Sequence, residues 1–401
     1  GELGILHPVA GVRMSAVAAG IKKPDRLDVV LFELAESAQS AGVFTANAFC
    51  AAPVTLCKQH LALEASPRYF LINTGNANAG TGAAGMQAAL ACCKSLAAAA
   101  GVAQTAVLPF STGVIGELLP ADKISAVSMQ ALGELNDNAW EKVARGIMTT
   151  DTRPKATSRQ LQLAGKVITI TGICKGAGMI KPDMATMLAY IFTDIAMSRA
   201  QVATAVRAAA NLSFNRITVD GDTSTNDSCM LVATGASGVE YATLSHTEQQ
   251  NFEAQLQGVF VDLAKAIIRD GEGATKFVTV NIEGGASSKE CLQVAYAIAE
   301  SPLVKTALFA SDPNWGRILA AVGRAGLQDL NIEDVEVYLD DVCIVAAGAR
   351  AAAYTEAAGQ AVLSRAEFAI SVRLGRGACK ETVWTCDFSH DYVSINADYR
   401  S

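Results

Sequence analysis

The sequence GAGMIKPDMATML at residues 176–188 is a glycine-rich segment that leads into an apolar strand. Strand-forming residues occupy both of its sides, at Lys166–Thr171 and at Thr186–Phe192, and no helical pattern separates them. Consecutive strands without an intervening helix are typical of antiparallel neighbours, whereas a doubly wound sheet needs a helix after each strand. The segment therefore favours an α/β fold of layered sheets flanked by helices.

The rest of the chain has the same mixed character, and Asp334–Ala347 is a second place where strands follow each other directly. The predicted strands are Val29–Glu33, Tyr69–Asn73, Lys166–Thr171, Thr186–Phe192, Lys276–Glu283, Asp334–Leu339, Phe368–Leu374 and Tyr392–Asn396. The predicted helices are Gly85–Ala100, Ala121–Leu135, Arg199–Ala210, His246–Arg269, Asp312–Ala325 and Glu356–Arg365. No linker rich in proline, serine or charge interrupts them, so we expect one interlocked α/β body.

Composition excludes several classes of function. The chain has 32 lysines and arginines against 39 acidic residues, and no block of like charge, so nucleic acid is not an expected partner. The cysteines form no Cys-x-x-Cys pair, which favours reduced thiols in a cytoplasmic protein. The four histidines form no pattern that offers a metal two ligands on one helical face, so no metal is expected.

No membrane segment is expected either, because Lys94 interrupts the apolar run at Met86–Ala100 and polar residues end the run after Met184. The start at Gly1 has neither the cationic head nor the apolar region of a secretory signal. We therefore expect a soluble cytoplasmic protein. The sequence leaves open whether a targeting segment precedes Gly1.

Common catalytic motifs are missing from the sequence. It has no Gly-x-Ser-x-Gly elbow and no Walker phosphate loop. None of the histidines lies beside a nucleophile motif. Phosphoryl transfer and a serine-histidine-aspartate mechanism are therefore disfavoured.

Four loops of small residues are candidate sites instead. Asn73–Gly82 suits tight turns or an ordinary loop, and Ser111–Gly116 offers a hydroxyl and a backbone N–H that suit either an oxyanion or a simple turn. Thr186 is at home in a strand, yet a hydroxyl among apolar residues needs a partner or a chemical use. In Arg269–Lys276, a carboxylate between two glycines suits either a substrate ammonium or a helix end.

From end to end, the chain resembles the ornithine acetyltransferase family of arginine biosynthesis. The stretches that carry the resemblance are Gly42–Asn47, Asn73–Gly82, Ser111–Gly116, Thr149–Thr152 with Pro154 and Lys155, Lys181–Leu188, Val219–Asp227, Gly271–Lys276, Ser311–Arg317 and Ile395–Tyr399. Their number and order make the family the best interpretation of the sequence.

The resemblance implies that the precursor cleaves itself between Ala185 and Thr186, which leaves an α chain of residues 1–185 and a β chain of residues 186–401. Thr186 becomes the nucleophile, and Thr112 and Gly113 form the oxyanion hole. The implied substrate contacts are Thr152, Lys175, Thr186, Glu272, Asn396 and Ser401. Relatives often end in threonine, so Ser401 is a departure that keeps the hydroxyl.

The implied reaction moves an acetyl group from N-acetylornithine to glutamate through an acetyl-threonine ester, in a ping-pong cycle that yields ornithine and N-acetylglutamate. The family needs no cofactor and forms a heterotetramer of two α and two β chains. The sequence leaves open whether acetyl-CoA also serves as a donor and whether the pathway's products inhibit the enzyme.

Chemistry explains why such a site needs no histidine. An N-terminal threonine carries its own base, an α-amine with an ordinary pKa of about 7.7–8.0. In the precursor this nitrogen is an amide, so the first cut must depend on strain and on oxyanion donors at the Ala185 carbonyl.

Two other functions remain compatible with these residues. A self-cleaving amidase or aminopeptidase would give its acyl group to water, and a measurement of transfer against hydrolysis distinguishes it. An amino-acid-binding protein that keeps the fold would stay uncleaved, which one denaturing gel detects.

Overall fold

A computed structural model describes residues 3–63, 66–181 and 187–399 of the chain. The strands are β1 (Val12–Val17), β2 (Val29–Leu34), β3 (Gln39–Phe44), β4 (Tyr69–Asn76), β5 (Val107–Val114), β6 (Lys155–Leu163), β7 (Lys166–Lys175), β8 (Leu188–Thr193), β9 (Ile217–Thr218), β10 (Ser228–Ala233), β11 (Phe277–Gly285), β12 (Glu336–Leu339), β13 (Val342–Ala346), β14 (Ala349–Arg350), β15 (Glu367–Arg373) and β16 (Cys379–Cys386). The helices are α1 (Ala52–Leu63), α2 (Gly82–Ala100), α3 (Ala121–Ala126), α4 (Ser128–Gly133), α5 (Trp140–Gly146), α6 (Arg199–Asn211), α7 (His246–Arg269), α8 (Ser288–Ala299), α9 (Pro302–Phe309), α10 (Trp315–Gly323), α11 (Glu356–Leu363) and α12 (His390–Ala397).

Contacts along the chain divide these elements between two compact units. The first consists of the described residues of Gly1–Gly176, Pro182–Asn215 and Thr223–Ile267. The second consists of the described residues of Ala177–Lys181, Arg216–Asp222 and Ile268–Ser401. The predicted division into an α chain of residues 1–185 and a β chain of residues 186–401 stays a prediction.

The first unit is a stack of two sheets between two layers of helices. The sheets have the strand orders β1-β2-β4-β5 and β3-β10-β8-β7-β6. Their inner faces meet through aromatic side chains, with ring centroids 4.8 Å apart for Phe32 and Phe192 and 5.1 Å apart for Phe110 and Tyr190. Helices α1 and α2 cover the outside of the first sheet, and α6 and α7 pack against the second. The predicted layered α/β fold is confirmed.

The strand β8 is buried at every residue because it lies inside the second sheet and both of its faces are covered. It pairs antiparallel with β7 and parallel with β10. The predicted direct pairing of the strands on either side of residues 176–188 is therefore confirmed. The same antiparallel pairing occurs between β12 and β13 in the second unit.

Parallel pairing of β4 and β5 places the Ser111–Gly116 loop. Helix α2 connects the two strands, as a parallel pair requires, and Thr74 and Gly75 lie opposite Thr112 and Gly113. The residues that the sequence predicts as an oxyanion hole consequently lie at the carboxyl end of β5.

The second unit contains a sheet in the order β14-β13-β12-β15-β11-β16-β9. Helices α8 to α11 contribute to its core, and α8 packs against β11 and β16. The alternating burial of β15 agrees with one face toward this core and the other toward solvent.

Two predicted elements are wrong. Tyr392–Asn396 is not a strand but lies in α12, where the side-chain amide of Asn396 donates a 2.9 Å hydrogen bond to the carbonyl of Tyr392, one turn earlier. Alternation over so few residues does not distinguish the two periods. The predicted helix Ala121–Leu135 is two short helices that meet at the β-branched Val127, whose ψ of 2° is not helical.

Within the described residues, helix α2 is long and apolar enough to cross a membrane by length and composition alone. The expectation that no apolar run reaches this length is therefore corrected, since one charge, Lys94, is tolerated in such a helix. The core helices of soluble proteins can have the same length and composition. Its Cys93 and Leu96 are fully buried in the core beside the first sheet.

Candidate active site

Gly113, the next-to-last residue of β5, has a backbone conformation that favours glycine and no room for a side chain. Its φ is 136°, and a Cβ atom on it would lie 2.3 Å from the carbonyl carbon of Gly75. The neighbouring strand β4 leaves no room for a side chain, so the backbone here approaches more closely than a strand normally allows. The residue after the predicted oxyanion hydroxyl is thus required to be glycine.

Thr112 lies beside the ammonium group of Lys175. The Lys175 Nζ donates hydrogen bonds of 3.1 Å to Thr112 Oγ1 and of 2.7 Å to Thr149 Oγ1. A hydroxyl that accepts from an ammonium still has its own proton to donate. The arrangement therefore turns the Thr112 hydroxyl into a donor that an anionic oxygen can use.

A network of buried amides fixes the chain on either side of Thr112. The Ser111 hydroxyl donates to Asn73 Oδ1 over 2.5 Å, and the Asn226 side chain donates to the Ser111 carbonyl over 2.9 Å. Asn226 also donates over 2.5 Å to the carbonyl of Ala77. These bonds connect Asn73–Gly82, Ser111–Gly116 and Val219–Asp227, three segments that the sequence analysis named separately.

Asp151 anchors the end of β7 from which Lys175 extends. Its carboxylate accepts hydrogen bonds of 2.6 Å from Lys155 Nζ and of 2.7 Å from the N–H of Gly176. Burial raises the pKa of Asp151, but the ammonium groups of Lys155 and Lys175 outweigh burial and hold this pKa at about 2. Asp151 is therefore ionised, and the ammonium groups of Lys155 and Lys175 balance its charge within the first unit.

Asp227 is a second buried carboxyl group with the opposite behaviour. Burial raises its pKa well above the usual value, and the Ser224 hydroxyl and the Lys175 ammonium lower it only in part. Its Oδ2 atom is inaccessible to solvent and has no hydrogen-bond partner. Near Lys175 the first unit thus combines an ionised carboxylate and a carboxyl group that resists ionisation.

In the second unit, Glu272 and Asn396 lie together. Glu272 is buried, its N–H donates over 2.8 Å to the Ala177 carbonyl, and its Oε2 accepts a 2.7 Å hydrogen bond from the Asn396 amide. The carboxylate therefore has a fixed orientation, as a contact to a substrate ammonium requires.

The predicted site residues fall into three groups. The first unit brings Thr112 and Lys175 into contact, with Gly113 adjacent to Thr112 in sequence. Thr152 is exposed and directly follows Asp151. The second unit brings Glu272 and Asn396 together. The predicted cleavage residues Ala185 and Thr186 and the terminal contact Ser401 lie outside the described residues.

Sequence reasoning assigned no role to Asp151, Thr149 or Asp227. The spacing of four residues between Asp151 and Lys155 was an available signal, because buried charges are paired. No pattern could have shown that the Oδ2 atom of Asp227 is buried without a hydrogen-bond partner. Among the described residues there is no group of three or more His, Cys, Asp or Glu side chains suited to a metal ion.

A family model described as the ArgJ family matches residues 13–401. The chain belongs to the ArgJ family. The arginine biosynthesis bifunctional protein ArgJ of Pseudomonas fluorescens (strain Pf0-1) is 56% identical over 404 residues, which cover 100% of this chain and 99% of the relative. The protein of the same name from Psychrobacter arcticus is 54% identical over 397 residues, which cover 99% of this chain and 97% of the relative.

The crystal structure of the arginine biosynthesis bifunctional protein ArgJ from Bacillus halodurans is 40% identical, with a TM-score of 0.49; the match covers 52% of this chain and 97% of that chain. Membership in the ArgJ family confirms the family resemblance found in the motifs. It also confirms the assignment of the chain to the enzymes of arginine biosynthesis.

Proposed function

We propose that this ArgJ-family chain is an ornithine acetyltransferase, which cuts its own backbone between Ala185 and Thr186 and then moves acetyl groups on Thr186. The proposal rests above all on the hydrogen bond from Lys175 to Thr112 beside Gly113. This contact supplies oriented donors for an oxyanion, and the name of the full-length relatives supports arginine biosynthesis.

The first step is an N-to-O acyl shift. The Thr186 hydroxyl oxygen attacks the carbonyl carbon of Ala185, the bond to the nitrogen of residue 186 breaks, and that nitrogen leaves as an amine with the hydroxyl proton. Water then hydrolyses the resulting ester, which leaves a carboxylate on Ala185 and restores the Thr186 hydroxyl. The new α-amine has an ordinary pKa of about 7.7–8.0, which suits a general base at neutral pH.

Acetyl transfer follows in two half-reactions. The α-amine takes the hydroxyl proton while Thr186 Oγ attacks the acetyl carbonyl of N2-acetylornithine, and the ornithine α-nitrogen leaves with a proton. Glutamate enters, its α-amine attacks the acetyl ester, and N-acetylglutamate leaves as Thr186 regains its proton. The Thr112 hydroxyl and the Gly113 N–H stabilise the negative oxygen in each tetrahedral intermediate.

Five further side chains are proposed to contact the substrate. Lys175 pairs with the α-carboxylate that both amino acids share, and a point cation tolerates the two different tails. Glu272 faces the terminal ammonium of N2-acetylornithine. Asn396, which also holds the Glu272 carboxylate, contacts the substrate as well. Thr152 and Ser401 complete the proposed set.

The decisive experiment combines a gel with a product assay. Purified protein should run as two bands under denaturing conditions, whereas Thr186→Ala should stay at full length. With N2-acetylornithine and glutamate, the protein should form N-acetylglutamate. When the reaction is quenched in the absence of glutamate, one acetyl group should remain on the β chain. Acetate as the sole product would instead indicate an amidase, and a single uncleaved band would indicate a binding protein.

The word bifunctional in the relatives' name supports a second activity, which we assign to glutamate acetylation with acetyl-CoA as donor. Formation of N-acetylglutamate from acetyl-CoA without N2-acetylornithine tests it. The assembly of two α and two β chains is likewise a proposal, for which native mass spectrometry gives the stoichiometry. The cytoplasmic location and the absence of a cofactor stay predictions.

A further inference from the structure

Gly178 lies directly against the carboxylate of Glu272 in the second unit. A Cβ atom on Gly178 would lie 2.4 Å from Cδ and Oε2 of Glu272 and 2.5 Å from Oε1. The nearly equal distances show that the carboxylate lies flat over this position. Gly178 is not among the glycines with positive φ, so the space taken by Glu272 is what requires glycine here.

Hydrogen bonds also hold the backbone N–H and the carboxylate of Glu272. Its backbone N–H donates to the carbonyl of Ala177, the residue before Gly178, over 2.8 Å. The Asn396 amide holds Oε2 over 2.7 Å. Glu272 is only 7% exposed, so its carboxylate is confined between Gly178 and Asn396.

The backbone after Gly178 is held firmly in place. The Asp220 carboxylate accepts hydrogen bonds of 2.7 Å from the N–H of Met179 and of 2.9 Å from the N–H of Ile180. These bonds hold Met179 at a φ of 55°, a left-handed conformation that costs a non-glycine residue energy. The Tyr392 hydroxyl donates to the same carboxylate over 3.1 Å.

A methyl group at position 178 would therefore displace the Glu272 side chain and not the backbone. Carboxylate atoms at the end of a flexible side chain move more easily than a backbone that two charge-assisted bonds hold. Gly178→Ala should consequently fold normally and shift only the carboxylate.

We infer that Gly178 is a positioning residue that gives the enzyme its specificity for a terminal ammonium on the acetyl donor, by keeping the Glu272 carboxylate in place. The inference rests on the proposed function. N2-acetylornithine carries this ammonium, whereas the tail of glutamate carries none and makes no charge-assisted contact with Glu272. Only the donor half of the cycle thus depends on the exact position of the Glu272 carboxylate.

The test compares the two half-reactions, because in a ping-pong cycle kcat/KM for each substrate reports only the half in which it reacts. Gly178→Ala should lower kcat/KM for N2-acetylornithine about tenfold or more, the effect of a lost charge-assisted contact. The value for glutamate should stay unchanged. Gly323→Ala is the matched control, because a Cβ there meets no atom within 4 Å.

A second readout excludes a general loss of activity. N-acetylnorvaline has the carbon chain of N2-acetylornithine without the terminal amine, so the preference of the enzyme between the two donors measures recognition of the ammonium. Gly178→Ala should reduce this preference toward that of Glu272→Gln. Adding Glu272→Asp to Gly178→Ala should restore part of it, because the shorter side chain makes room for the methyl group.

The outcomes separate the inference from the proposed function. If the unsubstituted protein transfers no acetyl group to glutamate, the proposed function is wrong. If it is active and Gly178→Ala keeps its donor preference, lowers both kcat/KM values equally or fails to cleave, the positioning role is wrong.

Discussion

The ammonium of Lys175 donates a hydrogen bond of 3.1 Å to the hydroxyl oxygen of Thr112. The two residues come from different sheets of the first unit, Thr112 from the carboxyl end of β5 and Lys175 from the carboxyl end of β7. A cation and a hydroxyl donor therefore meet at one end of the stacked sheets. This pairing joins the two roles that we propose for these residues, carboxylate recognition for Lys175 and oxyanion stabilisation for Thr112.

Thr112→Val should reduce kcat for acetyl transfer about 100- to 1000-fold, because the change removes one oxyanion donor and keeps the shape of the side chain. KM should change little. Steady-state kinetics with both substrates separates the effect on kcat from the effect on KM, and Thr204→Val on the exposed surface of α6 serves as control. Unchanged turnover in Thr112→Val would remove this hydroxyl from the oxyanion hole.

Lys175→Ala should raise the KM of N2-acetylornithine and of glutamate together, because both present an α-carboxylate to the same ammonium. Lys166→Ala is the matched control at the opposite, exposed end of β7. An unchanged KM for either substrate in Lys175→Ala would show that the lysine does not bind the shared carboxylate.

Gly113→Ala should lower the free energy of unfolding by more than about 2 kcal/mol, since it adds a backbone clash to an unfavourable φ. Gly116→Ala separates the two effects, because Gly116 also has a positive φ of 86° but no atom lies within 4 Å of its Cβ position. The second change should cost about 1 kcal/mol. Chemical denaturation of both variants in the Thr186→Ala background gives the comparison, and equal losses would argue against the close approach of β4.

Asp227→Asn should stabilise the protein at neutral and alkaline pH. A carboxyl group whose folded pKa is raised contributes most below its unfolded pKa of about 3.9, and this contribution is lost as the pH rises toward the folded value. The amide does not ionise, so the advantage of Asp227→Asn should grow from pH 5 to pH 8 in denaturant unfolding. A pH-independent difference would contradict the raised pKa.

Asp151→Asn should change the pH dependence of stability in the opposite direction to Asp227→Asn. The pKa of Asp151 is lowered to about 2, so its ionised form stabilises the protein above pH about 4, and the contribution is lost as the pH falls from about 4 toward 2. Asp151→Asn should therefore destabilise the protein at pH 7 and approach the parent protein near pH 2. Both aspartate variants are measured in the Thr186→Ala background, so that unfolding involves a single chain.

In the first unit the sequence predicted β2, β4, β7 and β8, but it missed other strands, among them β10, which is buried at every residue. The predicted strand Val29–Glu33 extends by one residue in β2, and Lys166–Thr171 extends by four residues in β7. β5 was described only as a loop at its carboxyl end, since Gly113 and its hydroxyl neighbours hide the strand. α12 was taken for a strand because its pattern is short.

The parts of the site that the sequence could not supply depend on distances between remote segments. The reason for glycine at position 178 is the side chain of Glu272, which no local pattern reveals. The sequence similarly contains Asp151 and Asp227 as two ordinary aspartates. Their opposite pKa shifts arise from the presence of Lys155 beside one and the lack of a partner for Oδ2 of the other.

The ladder between β7 and β8 runs from Ile170 opposite Thr193 to Lys175 opposite Leu188. A nick after residue 185 would give β3, β6 and β7 to one polypeptide and β8 and β10 to the other, in a single woven sheet. Neither polypeptide could dissociate without breaking the backbone hydrogen bonds that join the two and exposing Tyr190 and Phe192 to solvent. Maturation would thus be irreversible in practice. Halves synthesised from separate genes would each expose the unpaired strand edges of half a sheet to water.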